Sequence, residues 1–185
     1  MKPTLIIVGL GNPGTSYEAT RHNAGFRALD ALRVAFEGAE DWKEQAKVQS
    51  MTAAIVIGEV SVLLAKPLTF MNRSGEAVQK LVNFYKVDPS FQLLILSDDC
   101  DLPLGEIRFR SQGGAGTHNG LKSVVEHVGE SFPRIRIGLG NPPAGADLAN
   151  WVLSVPPAEE RAQLEQALRD ELPRKVEEFV LGSSH

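Results

Sequence analysis

The chain has one cysteine, Cys100, in 185 residues, so no intrachain disulfide framework can form and stability must come from a core. Cys100 lies between Asp99 and Asp101, whose charges disfavour a thiolate and argue against a nucleophilic thiol. Metal-binding patterns are lacking too. The four histidines (His22, His118, His127 and His185) form no H-E-x-x-H motif and stand near no cysteine pair. No apolar run is long enough to span a bilayer, and no basic-then-apolar leader precedes the first strand-like segment. Aromatic residues are only 6%, and the net charge of −4 gives no global attraction to phosphate. Together these absences exclude a disulfide scaffold and a membrane-spanning protein, and they predict a cytoplasmic one.

What remains is ordinary globular material. Hydrophobic content is 43% and charged content 23%, and the length suits a single domain with a proper core. Strand-like runs fall at residues 5–8, 53–57, 60–65, 93–96, 107–110 and 135–139. Helical periodicity fits 24–36, 74–85, 121–128 and 158 onward, with Pro173 starting a further short helix over 174–180. The pair Gly58-Glu59 joins two of the strands as a hairpin, so the sheet is mixed. The expected fold is therefore α/β, one domain over residues 1–185, a mixed twisted sheet with helices on both faces. Residues 183–185 read as a tail.

The first strand empties into Gly9-Leu10-Gly11-Asn12-Pro13-Gly14, followed by Tyr17 and then Thr20-Arg21-His22-Asn23. The spacing is literally that of a dinucleotide fingerprint, whose glycines open directly into a helix facing a pyrophosphate. Here Pro13 biases Asn12 away from helical angles, and the helical pattern begins only after Asn23. No acidic residue ends a second strand at the required distance, because Asp30 lies within that helix. Nucleotide binding of that type is excluded. The turn instead delivers polar side chains to a pocket.

Other polar clusters also sit where strands end, the position at which open α/β sheets bind ligands. They are Ser97-Asp98-Asp99, Phe70-Met71-Asn72-Arg73-Ser74 and Gly113-Gly114-Ala115-Gly116-Thr117-His118-Asn119. Singly, each has a structural explanation: Asn72 or Ser74 as a helix cap, Asp98 in a turn, the glycines as a loop. Their convergence beside the His22 turn points to a site.

Five stretches are similar to the bacterial-type peptidyl-tRNA hydrolase family: GLGNPG-x-x-Y-x-x-TRHNAG (9–25), KP-x-TFMN-x-SG (66–75), DD-x-DLP-x-G (98–105), GG-x-G-x-HNGL-x-S (113–123) and RIRIG-x-G (134–140). They run in family order over nearly the whole chain. The resemblance implies hydrolysis of the ester joining a peptide to the 3′ end of tRNA, by a cytoplasmic monomer without cofactor or metal. It makes His22 the general base, suited to titration near neutrality, and Asp98 the carboxylate that orients it. No serine or cysteine aligns with a nucleophile, which leaves water. Asn12, Asn72 and Asn119 supply neutral donors for an oxyanion or for gripping the substrate, with the division among them open. Tyr17 and Met71 would line the cleft, although Met71 could equally be packing. Ala115 departs from the family, where that place is often larger and polar.

Charge is unevenly distributed. Residues 103–136 hold five basic side chains (Arg108, Arg110, Lys122, Arg134 and Arg136) against three acidic ones (Glu106, Glu126 and Glu130). Arg108 and Arg110 share one strand face, as do Arg134 and Arg136. The family resemblance implies that Arg110 and Arg136 clamp the tRNA 5′-phosphate, with Arg108 beside them and Lys122 near the acceptor stem. The alternative is a solvated sheet face. A non-enzymatic RNA scaffold and a small-molecule hydrolase remain the competing functional classes; retention of His22, Asp98 and the three asparagines favours the enzyme.

Overall fold

A computed structural model of the chain describes residues 2–182; the tail assigned to 183–185 lies outside the described residues. Seven strands form one sheet in the order β2-β3-β4-β1-β5-β7-β6. The centre is parallel: β1 (Leu5–Gly9) lies between β4 (Val60–Pro67) and β5 (Leu93–Asp99), and β5 pairs with β7 (Arg134–Gly138). Both edges are antiparallel. β3 (Ser50–Ile57) forms the expected hairpin with β4 and carries β2 (Lys43–Gln45), while β6 (Ile107–Arg110) closes the far side against β7. The hairpin turns at Gly58, whose φ of 60° is a left-handed value that glycine adopts without strain.

Strand side chains alternate between two cores, as period-two burial requires. Leu5, Ile7, Leu94 and Leu96 face α1 (Ala24–Ala35), α6 (Ala158–Asp170) and α7 (Leu172–Gly182). Ile6, Val8, Leu93 and Ile95 face α2 (Ser74–Tyr85) and α4 (Asn119–Val128). Helices therefore cover both faces. Pro173 sits in the first turn of α7, where its missing N–H leaves no intrahelical bond unmade. Two short helices, α3 (Pro89–Gln92) and α5 (Leu148–Val152), were not apparent in the periodicity.

The chain leaves β1 toward α1 on one face but leaves β4 toward α2, and β5 by way of β6 toward α4, on the other. This reversal opens a crevice beyond the carboxyl ends of the central strands, the usual ligand position in such sheets. Backbone contact sets its depth. A Cβ on Gly9 would lie 2.2 Å from the carbonyl oxygen of Gly25, and one on Gly25 would lie 2.5 Å from that of Leu10. The start of α1 thus rests directly on the end of β1, and the 3-10 turn Arg21–Asn23 before it is held over the sheet edge. Gly9→Ala should lower unfolding free energy by about 1–3 kcal/mol, the cost of overpacking. A urea titration with an unchanged midpoint would contradict this close-contact account.

Candidate active site

Alternation along β5 sends Asp98 to the same face as Leu94 and Leu96, but at the strand end, where α1 no longer covers it. There the buried carboxylate meets two histidines. Oδ2 lies 2.8 Å from His22 Nδ1, and Oδ1 lies 2.9 Å from His118 Nε2. The two imidazoles approach each other with ring centroids 5.0 Å apart. Asp98 is therefore an acceptor shared between two rings, not the turn residue that its neighbours in sequence also allowed.

The proton positions follow from the partners. His118 is the N-cap of α4, and its Nδ1 accepts the backbone N–H of Leu121 at 3.2 Å. An acceptor at Nδ1 places the proton of the neutral ring on Nε2, which then donates to Asp98. His22 donates Nδ1–H to the other carboxylate oxygen, so its Nε2 keeps a lone pair. One ring nitrogen each of His22 and His118 and one carboxylate oxygen of Asp98 lie within 4.8 Å of one another, a spacing that would suit a cation. Ligation through His118 Nε2 would nevertheless move its proton to Nδ1 and oppose the Leu121 N–H, breaking the cap.

Asn12 is locked just as firmly. Its backbone N–H donates to Asn23 Oδ1 and its carbonyl accepts from Asn23 Nδ2, both at 2.9 Å. Its side-chain Oδ1 accepts the Met71 N–H at 2.7 Å, which turns Nδ2 outward as a donor with no protein partner among the described residues. Asn23 thereby ties the His22 turn to Asn12. Tyr17 packs edge-on against exposed Phe70, with centroids 6.2 Å apart, joining the loops after β1 and β4. Asn72 is exposed beside them. Met71 is buried in the core beneath α2 and α4 and does not line the large cleft. Neither Asn72 nor Ser74 caps α2; the Ser74 hydroxyl donates to the Met71 carbonyl.

On the other side of His22 opens a cleft of about 720 Å³. His22, Asp98, Asn119, Arg110, Arg136 and the 113–118 loop contribute to its walls, opposite Leu148, Ala149 and Val152 from the α5 segment. The β6–β7 register sets Arg108 opposite Arg136 and Arg110 opposite Arg134, so all four share one face. Their fates differ. Arg134 is buried and holds the Gly114 and Glu130 carbonyls at 3.1 and 3.3 Å. Arg136 pairs with Asp99 at 2.5 Å, and Arg108 pairs with Glu106. Arg110 is exposed and, among the described residues, has no ion pair. Lys122 is exposed on α4 outside the cleft lining. Cys100 lines the cleft as an inert thiol, pushed up to about 12 by burial and by Asp98, Asp99 and Asp101.

Sequence reasoning missed two members of this constellation. His118 stood out only as part of the glycine-rich run 113–119, although its place just before the α4 pattern is a cap signal. Asn23 read only as the end of the loop. His127 bonds the Ser123 carbonyl at 2.7 Å within α4 and is structural.

An imidazole with a free lone pair, oriented by a buried carboxylate at the mouth of a cleft, belongs to an acid–base enzyme. A family profile described as peptidyl-tRNA hydrolase matches residues 6–182. The chain is 45% identical over 164 residues to the peptidyl-tRNA hydrolase of Chloroflexus aurantiacus, covering 88% of this chain and 86% of that one. It is also 45% identical over 168 residues to that of Bacillus subtilis, covering 89% and 86%. The crystal structure of peptidyl-tRNA hydrolase from Acinetobacter baumannii superposes with a TM-score of 0.89 at 38% identity, over 100% of this chain and 92% of that one. The chain belongs to the peptidyl-tRNA hydrolase family.

Burial alone would raise the Asp98 carboxyl, but the charge that His118 and His22 carry once protonated in acid, together with their hydrogen bonds, outweighs it and holds it well below the usual carboxylate range. A depressed folded value stabilises the protein fully above about pH 4 and loses that contribution as pH falls further. Asp98→Asn should therefore flatten the acid side of a Tm-against-pH curve. The same change should abolish most turnover. An amide has one acceptor for two donors, and the capped His118 claims it, which forces His22 into the tautomer with Nε2 protonated. The expected loss is about 10³–10⁴-fold in kcat, as when a triad carboxylate is replaced. Wild-type turnover, or an unaltered acid limb of stability, would refute the shared-carboxylate account.

Proposed function

We propose that the chain hydrolyses peptidyl-tRNA by direct attack of water, with His22 as general base and Asp98 as its orienting carboxylate. His22 Nε2 takes a proton from water as the oxygen adds to the ester carbonyl carbon. The carboxylate supports the imidazolium that forms. The tetrahedral oxyanion is met by the outward Nδ2 of Asn12, with Asn72 and Asn119 as further donors to oxyanion, peptide or terminal nucleotide. Collapse expels the 3′ oxygen of the terminal ribose, which takes the proton back from the imidazolium. Neither metal nor cofactor enters the scheme. The observation that carries it is the single Asp98 carboxylate accepting from His22 Nδ1, an orientation that in the neutral ring keeps the Nε2 lone pair for the proton of water.

The substrate lies across the His22 mouth. Tyr17, Asn72 and the Met71 turn support the peptide side. The cleft on the β5–β7 side takes the acceptor stem, with Arg110 and Arg136 on the 5′-phosphate and Arg108 and Lys122 at its margin. Arg136 is held by Asp99, so a phosphate must compete with that carboxylate, whereas Arg110, with no ion pair among the described residues, meets it freely. The enzyme acts as a cytoplasmic monomer. Consistent with this, no described helix is long and apolar enough to cross a membrane.

His22→Ala should cut turnover by about 10²–10⁴-fold, the worth of general-base catalysis, while tRNA binding persists. A folded His22→Ala protein with near-normal release of N-blocked aminoacyl groups from tRNA would end this mechanism. Arg110→Ala or Arg136→Ala should weaken kcat/KM on full-length peptidyl-tRNA by about 1.5–3 kcal/mol, the range for hydrogen bonds to charged groups. The loss should shrink as salt rises. It should vanish on a short ester carrying only the terminal adenosine. Equal losses on both substrates would indicate damage to the cleft and remove the clamp.

A further inference from the structure

Arg21, the residue before His22, is buried although the reaction just described does not use it. Burying a guanidinium is costly unless its donors are satisfied; Nε has no partner among the described residues, and the contacts of the other donors show what the side chain holds. All come from one distant stretch of chain. Arg21 N–H donates to the Ser154 carbonyl at 3.1 Å, and Nη1 donates to Ser154 Oγ at 2.6 Å. Nη2 pairs with Glu160 at 2.9 Å, and the guanidinium carbon lies 4.5 Å from the centre of the Trp151 ring. Ser154 Oγ–H is itself directed to the Trp151 carbonyl at 2.6 Å, which fixes the turn that receives the arginine.

That stretch has two working sides. Its α5 residues Leu148, Ala149 and Val152 form a wall of the cleft, while Trp151, Ser154 and Glu160 grip Arg21. His22 lies on the same three-residue 3-10 turn as Arg21 and has little freedom to move without it. Asn23 anchors the turn to Asn12 on one side; Arg21 anchors it to the α5–α6 segment on the other.

We propose that Arg21 is a positioning residue that couples the α5 wall of the cleft to the base, holding His22 against Asp98 only while the α5–α6 segment is seated. The proposal rests on His22 as base, and it assigns to the C-terminal segment a part in chemistry as well as in shaping the cleft. A seated wall and a placed base are then one event. Arg21 contributes through geometry and touches no reacting atom.

The test compares Arg21→Gln, Arg21→Lys and Trp151→Leu with the wild type on full-length peptidyl-tRNA and on the short adenosine ester. Arg21→Gln should lower kcat by about 10²-fold on both substrates, the size of effect that a small misplacement of a catalytic group produces. KM should stay within about threefold, because a lost positioning contact acts on the chemical step. Arg21→Lys keeps one charge for Glu160 and should recover part of the loss. Trp151→Leu leaves the ion pair intact and should show a smaller fall in kcat of the same kind. Independently of activity, the low-field NMR resonance of the His22 Nδ1 proton, which reports its bond to Asp98, should move upfield or broaden in Arg21→Gln and Trp151→Leu without substrate.

A folded Arg21→Gln with wild-type kcat and an unchanged His22 resonance would overturn the proposal. If Arg21→Gln does not fold, Trp151→Leu decides in its place by the same two readouts. A merely structural arginine would lower Tm but leave the resonance and the kcat of the folded protein alone. Should His22→Ala retain turnover, the base assignment fails by itself, and the resonance still reports whether Arg21 sets the His22–Asp98 contact.

Discussion

One buried carboxylate shared by two imidazole rings governs this site. Asp98 accepts from His22 and His118 on separate oxygens, and His118 is in turn fixed by the first turn of α4. A backbone N–H of a helix thereby determines, through one imidazole and one carboxylate, which nitrogen of a second imidazole carries the proton. Each link is a hydrogen bond whose direction is set by an obligatory donor or acceptor. Reversing the tautomer of either ring would leave a buried polar group unpaired, which costs about 1–3 kcal/mol.

The fold exists around this requirement. Asp98 must emerge at the end of a buried parallel strand, His22 from the neighbouring strand's loop, and His118 from the opposite face of the sheet. Only a crevice where the connections diverge brings all three together. The close contact of Gly9 with Gly25 lowers the His22 turn onto the sheet edge. The approach of Gly120 is equally tight: a Cβ there would meet Met71 Sδ at 2.5 Å and His118 Cε1 at 3.0 Å. Met71 therefore contributes by packing against Gly120 at the start of α4 as well as by offering its backbone N–H to Asn12.

Much of this was legible in the sequence. Apolar runs located the four central strands, and helical periodicity located α1, α2, α4 and α6, because burial on a repeating face leaves a local signal. β2 escaped because its three polar residues have no apolar pattern; they are a strand only through pairing with β3. β3 begins at Ser50, ahead of the expected start, because Ser50 pairs with Pro67 at the far end of the hairpin. His22, Asp98 and Asn12 were recognisable from motif and resemblance together. His118 was not, since its function depends on a partner 20 residues away. The basic excess over 103–136 was correctly counted but could not reveal which cations are free. Pairing with Glu106 and Asp99 quiets Arg108 and Arg136, and burial turns Arg134 into a scaffold residue, leaving Arg110 exposed.

The most direct test of the shared-carboxylate account is the tautomer of each histidine in the free protein at neutral pH, read from the ¹⁵N chemical shifts of its ring nitrogens. The account predicts His22 protonated on Nδ1 with a bare Nε2, and His118 protonated on Nε2 with a bare Nδ1. A His22 protonated on Nε2 would contradict it, because the nitrogen that the proposed mechanism needs as proton acceptor would already hold one.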